Sequence, residues 1–249
     1  QDGNGTERFN LWGLTDARSD MQRSNAFVFI NHDLGNGIES FTELSFYTSD
    51  YKITRHPSYA FSSVKHRVGP DNYWLNQMKL ADGTAHFAGK QLYIDNYRYA
   101  ERMRKVEVEK KTYRLLQGFR GSFDEWDWEG AFVTSKATTD DITKDRVSNN
   151  LLKEALLDST PAAYNPFSAG IDSNIERILV DVYRKGESEL TMLDFKVANN
   201  EVMELPAGPL GMMFGFEYRH ESVLDDRDPR LDGTITYTDY ESDTYPEVS

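Results

Sequence analysis

The residues able to do chemistry in this chain are histidines, carboxylates and aromatic rings, because it contains no cysteine. Without a thiol there is no thiolate nucleophile, no Cys-ligated metal and no disulfide framework. The five histidines, at 32, 56, 66, 86 and 220, show no HExxH or other metal-ligating spacing and read as scattered loop and strand-end residues. No Gly-rich phosphate loop and no nucleophile elbow occurs. Asp and Glu together number 41, so closely spaced carboxylates arise by chance and do not mark glycosidase-type chemistry. Asp226-x-Asp228 followed by Asp232-Gly233 has the opening of a calcium loop, but Pro229 interrupts it and Tyr237 stands where the bidentate Glu belongs. The chain is therefore read as non-enzymatic, with no metal site and no cofactor.

Aromatic rings remain. Tyr73 and Trp74 fall in one long aperiodic stretch, and Tyr164 and Phe167 in another. Such rings offer stacking area at low entropic cost, so these four are the candidate ligand-binding residues. The alternative, in which the same rings pack one loop against the other, stands beside it with equal weight. Trp126 and Trp128 lie next to a short turn, where paired tryptophans fit an interfacial girdle better than a binding site.

The elements that must position these residues are strands. Val202 to Glu221 alternates: Leu210, Met212, Phe214, Phe216 and Tyr218 share one parity, and Gly211, Met213, Gly215, Glu217 and Arg219 the other. Thr191, Leu193, Phe195 and Val197 continue the apolar set on the strand before, across the turn at Leu205–Pro209. Asn36-Gly37 predicts a tight hairpin between Ala26–His32 and Ile38–Tyr51, and Gly121–Glu125 a third between Lys111–Arg120 and Trp126–Thr138. The hairpins span about 23–54, 105–139 and 188–224, and the long loops about 55–90 and 140–187. One short loop helix is predicted at Asn150–Leu157, with an Asn as its cap and Pro161 as its stop.

Short turns about 85 residues apart, with long loops between them, predict all three turns at one end of a single antiparallel sheet. A soluble sandwich has turn signals more often. The fold class is thus all-β: an antiparallel meander of long strands, part of a transmembrane β-barrel. No apolar run reaches the length of a membrane helix, but barrel strands hide their apolar face among polar residues. The net charge of −13 argues against a nucleic-acid partner. Gln1 carries neither an initiator Met nor a signal peptide, so the chain reads as an internal segment.

An ordered set of stretches resembles the barrel of TonB-dependent outer-membrane receptors. It runs from Arg23-Ser24-Asn25 and Asn31–Gly37 through Phe41–Tyr47, Tyr113–Gly121 and Trp126-Asp127-Trp128 to Ala163–Phe167, Leu205–Gly211 and Gly215–Arg219, covering most of 20–220. The resemblance implies a partial barrel domain over 1–249, six to eight strands of a larger barrel. It also implies localisation in the outer membrane of a Gram-negative bacterium, with outer-membrane lipid as one partner. A plug domain, which this stretch lacks, would engage the TonB complex. The function implied is energy-coupled uptake of a scarce nutrient: siderophore, cobalamin, oligosaccharide or peptide. A soluble all-β carbohydrate-binding module and a passive porin are the alternatives. Cut from a barrel, the segment is expected to form an open, curved sheet with poorly packed long loops.

Overall fold

The structure is a computed structural model that describes residues 10, 13–58, 65–94 and 97–229. Six long strands form one antiparallel sheet: β1 Asp20–Gly35, β2 Ile38–Arg55, β5 Arg104–Phe123, β6 Trp126–Val147, β7 Leu179–Leu205 and β8 Gly208–Arg227. Each pairs with the next in chain order, so the sheet is a plain meander, and it is open: no strand among the described residues pairs β1 to β8. A separate two-stranded sheet, β3 His66–Val68 with β4 Leu92–Ile94, lies in the first long connection.

The register puts the three tight turns together. Ile38 and Trp128 both sit opposite Gly121, and Asp127 sits opposite Ala198, which brings Asn36-Gly37, Asp124-Glu125 and Pro206-Ala207 to one end. In the first turn Asn36 (φ 55°) and Gly37 (φ 76°) both take the left-handed conformation, whose twist matches that of the strands leaving it. The long connections, 56–103 and 148–178, leave from the other end.

Each long strand runs past the span that apolar alternation predicts, most of all β7 with its 27 residues. Alternation marks only the apolar part, whereas the extensions carry charges that pair across strands. Lys144 Nζ lies 2.9 Å from Glu107 Oε1, and Arg184 Nε 2.7 Å from Asp225 Oδ1. Leu92–Ile94 pairs with His66–Val68 and stands apart from the main sheet.

The single predicted helix becomes two, α1 Tyr73–Gln77 and α2 Asn149–Leu157, with a 3-10 turn at Ile175–Ile178. Five residues are too few for α1 to show a period, but its cap is strong, since Asn72 Oδ1 accepts from Leu75 N at 3.0 Å. The cap of α2 is Ser148 rather than an Asn, its Oγ accepting from Leu151 N at 3.4 Å. The expectation of poorly packed loops is overturned. The two connections share the main cluster of fully buried side chains, among them Val68, Leu75, Leu152, Leu156, Tyr164 and Ile178. They bury apolar residues against each other because the sheet ends below them and supplies no second layer.

Within the sheet, close packing is done by aromatic rings laid over glycines. The Phe41 ring covers Gly118 on the neighbouring strand so closely that a Cβ there would overlap ring Cζ. Phe195 covers Gly130 in the same manner, at 3.1 Å. A ring over a glycine hides backbone that a bare glycine would leave exposed. Gly118→Ala is therefore expected to destabilise the sheet by on the order of 1–3 kcal/mol, as overpacking does. In a Phe41→Ala background the same change should cost almost nothing. Denaturant unfolding of the four proteins of this cycle checks both values; an equal cost in both backgrounds contradicts the contact.

Candidate functional site

A strand's side chains alternate, and opposed residues of antiparallel neighbours share a face. The register therefore sorts the whole sheet into two faces. One carries Phe214, Phe216 and Tyr218 of β8 beside Val197, Phe195 and Leu193 of β7. It continues through Trp128, Gly130 and Phe132 of β6, then Gly121, Phe119, Gln117 and Leu115 of β5. Ile38, Ser40, Thr42 and Leu44 of β2 follow, with His32, Ile30 and Val28 of β1 at the edge. No Asp, Glu, Lys or Arg occurs in these rows. Their large side chains stand open, Phe214 at 58 % and Phe216 at 61 % of full exposure.

The charge-free zone has marked borders. Toward the turns it ends in Phe123, Trp126 and Trp128, with the Trp128 ring stacked 6.5 Å from Phe195. Toward the connections it ends in Phe46 and Tyr113, rings 5.0 Å apart. On β6 and β7 that same row already carries charge: Lys136 lies opposite Tyr113 and Glu189 opposite Lys136, with Lys136 Nζ between Glu187 and Glu189 at 2.7 and 2.8 Å. From Phe123 to Tyr113 is about 34 Å along β5 at the rise of an antiparallel strand.

Across those same rows the opposite face is charged. Lys196 Nζ meets Glu129 at 3.0 Å, Arg120 meets Glu39 at 2.9 Å and Arg114 meets Glu43 at 2.9 Å. Arg120, Glu39, Glu129, Lys196, Ser122 and Asp127 line an open groove of about 430 Å³ near the turns. β1 departs from this division. Phe27 and Phe29 point to the charged face while Val28 and Ile30 point to the apolar one, so its middle is apolar on both sides.

The four ring candidates all lie in the cap formed by the two connections. Tyr164 is 1 % exposed; its hydroxyl donates to Glu101 Oε1 at 2.9 Å, and its ring meets Tyr97 and Tyr99. Burial raises the phenol pKa of both Tyr164 and Tyr97 above the ordinary tyrosine value, so both remain neutral. Phe167 packs half-buried against the same cluster. Trp74 donates its indole N–H to Ala163 O at 2.8 Å and meets the edge of Tyr73 at 4.9 Å. The structure thus brings Trp74, Tyr164 and Phe167 together as contacts between the connections. Sequence reasoning missed their partners, Tyr97, Tyr99 and Glu101, whose signal was a run of tyrosines without periodicity.

Among the described residues no group of three or more His, Asp or Glu side chains is placed to hold a metal ion. The acidic run from Asp226 continues past residue 229, and Asp232, Gly233 and Tyr237 lie outside the described residues. No described helix is long and apolar enough to cross a membrane, which says nothing of strands. No family model matches the chain, and comparisons with curated proteins and with solved structures give no match.

One ion pair links the cap to pH. Arg177 Nη1 donates to Asp158 Oδ2 and to Ala162 O, while Asp158 Oδ1 accepts from Thr160 N at 2.7 Å. Arg177, and then the Thr160 amide, hold the Asp158 carboxyl at about 2, below its ordinary 3.8. A depressed carboxyl pKa stabilises above the unfolded value, and that contribution is lost as pH falls through the folded one. The cap should hold its protease resistance down to about pH 4 and lose part of it between there and pH 2. In Asp158→Asn that portion should be missing already at neutral pH, with a flatter acid profile. Acid-stable protease digestion across this range reads the difference; identical profiles for both proteins contradict it.

Proposed function

We propose that this sheet is part of the wall of a TonB-dependent outer-membrane receptor, with its charge-free face against lipid. The observation that carries the reading is the segregation of charge held in register over five of the six strands, β2 and β5 to β8, with aromatic rings at both ends of it on β5. At a strand tilt of about 40°, the 34 Å from Phe123 to Tyr113 gives a band roughly 26 Å tall, against about 25 Å for outer-membrane barrels. Backbone groups in hydrocarbon must all be paired, which a continuous antiparallel ladder provides along its length.

In this reading the short turns face the periplasm and the cap faces outward, where it meets a small nutrient ligand. The charged face lines the interior, where a plug that engages the TonB complex would lie. The chain does no covalent chemistry itself; it contributes wall and cap to energy-coupled uptake.

The two parities of β8 give the test. Phe214→Arg puts a charge into hydrocarbon and should cost about 2–4 kcal/mol near the midplane, less toward an interface. Met213→Arg, one residue away, points to the wet side and should be tolerated. The amount of heat-modifiable protein in outer membranes measures both. Equal loss removes the lipid-facing assignment, and uptake indifferent to the proton-motive force would leave a passive channel.

A further inference from the structure

The two long connections are separated in sequence by the whole of β5 and β6, yet neither completes its own structure. α2 leaves its last carbonyls without helical partners, as every helix does. Tyr164 N satisfies Ala155 O at 3.1 Å, but Leu156 O is satisfied from the other connection, by Gly69 N at 3.0 Å and Asn72 Nδ2 at 3.1 Å. Tyr73 N donates to Asp158 O at 3.2 Å, and Trp74 Nε1 to Ala163 O at 2.8 Å. Withdrawing the first connection would strip the buried Leu156 carbonyl of both its donors, which is costly, whereas Ala163 O would keep Asn174 Nδ2 at 2.8 Å.

The apolar side is equally shared. Among the described residues, the first connection supplies Val68, Leu75 and Tyr99 to the fully buried cluster, with Met78, Phe87, Leu92, Ile94 and Tyr97 partly buried against it. α2, Tyr164 and the 3-10 turn supply most of the rest, and they in turn use those three as their cover. Among the described residues of the long strands, Val147 at the end of β6 belongs to this cluster, with Leu179 at the start of β7 packed against it. Sheet and cap are thus held by different interactions: ladder hydrogen bonds in one, a shared core in the other.

We propose that the two connections form one cooperative cap that orders and disorders as a unit, separately from the sheet. Whatever engages one connection therefore acts on both, and the cap opens as a whole rather than loop by loop. This holds whatever lies against the apolar face of the sheet, so it stands or falls apart from the receptor reading.

Hydrogen–deuterium exchange on the full chain in detergent tests it with Leu156→Asp in the second connection and Leu75→Asp in the first. The expected result is the same for both: protection falls roughly tenfold or more over 66–78 and 149–178 together, while β5 to β7 keep theirs. Loss confined to the substituted connection overturns the proposal, and so does failure of the sheet to form. A milder pair avoids core disruption. Gly69 lies against Leu157, with a built Cβ 3.4 Å from Leu157 Cα, and the chain has no cysteine to interfere. Gly69→Cys with Leu157→Cys should form a disulfide in air and slow exchange in both connections. Slowing in only one, or no cross-link, contradicts a single cap.

Discussion

A strand offers each side chain one of two faces, and in this chain that choice is made the same way in five of the six long strands, β1 alone being apolar on both sides in its middle. Direct opposition in an antiparallel ladder carries the face of one residue to its neighbour. A single slip by one residue would send the charges of Arg120, Glu129 and Lys196 into the rows of Phe119, Trp128 and Phe195. Register is therefore the constraint on which the rest depends. The tight turns set it at one end, and the rings of Phe41 and Phe195, seated over Gly118 and Gly130, pin it in the middle. The ion pairs on the charged face are exposed and worth little individually, about 0–1 kcal/mol each. Their effect is on specificity, since a slip by one residue would set these charges against apolar neighbours in place of their partners.

Beyond the aromatic border the sheet changes character without changing its ladder. Lys111, Glu109, Asp140 and Lys185 appear on the face that was free of charge, and the strands continue as water-compatible ribbons up to the cap. A face that is apolar for part of a strand and charged for the remainder does not suit a second protein layer covering its whole length. It suits a surrounding medium that changes along the strand, as a bilayer and its aqueous borders do. The cap solves a different problem by a different means. Chain that leaves the ladder must satisfy its backbone elsewhere, and the two connections do so by exchanging hydrogen bonds and burying one core between them.

The sheet was legible in the sequence where alternation is strong. Phe214, Phe216 and Tyr218 against Gly215 and Glu217 need no structure to be assigned to two faces, and Asn36-Gly37 names its turn by composition. The outer reach of β7 was not legible, because Arg184–Glu189 sets Gly186 and Ser188 against Lys185, Glu187 and Glu189 and shows no apolar face. The cap was the least legible part. Its order comes from contacts between Val68, Leu75 and Leu156, residues about 80 apart whose neighbours carry no common period. Asn72 and Ser148, the side chains that begin its helices, were visible as types but not as caps. Tyr164 was visible as an aromatic ring in a long loop, but not that the ring faces inward and its hydroxyl meets Glu101.

The account turns on what lies against the charge-free face, and absence of cysteine makes that directly measurable. Single cysteines placed in turn at Arg114, Leu115, Leu116 and Gln117, and at Phe132, Val133 and Thr134, carry a spin label in the full protein reconstituted into bilayers. Collision rates with oxygen, which concentrates in hydrocarbon, and with a water-soluble nickel chelate then report the surroundings of each position. The account predicts a period of two in both strands: oxygen high and nickel low at 115, 117, 132 and 134, and the reverse trend at the others. Nickel access at those four equal to that of their neighbours, or no alternation at all, would contradict it.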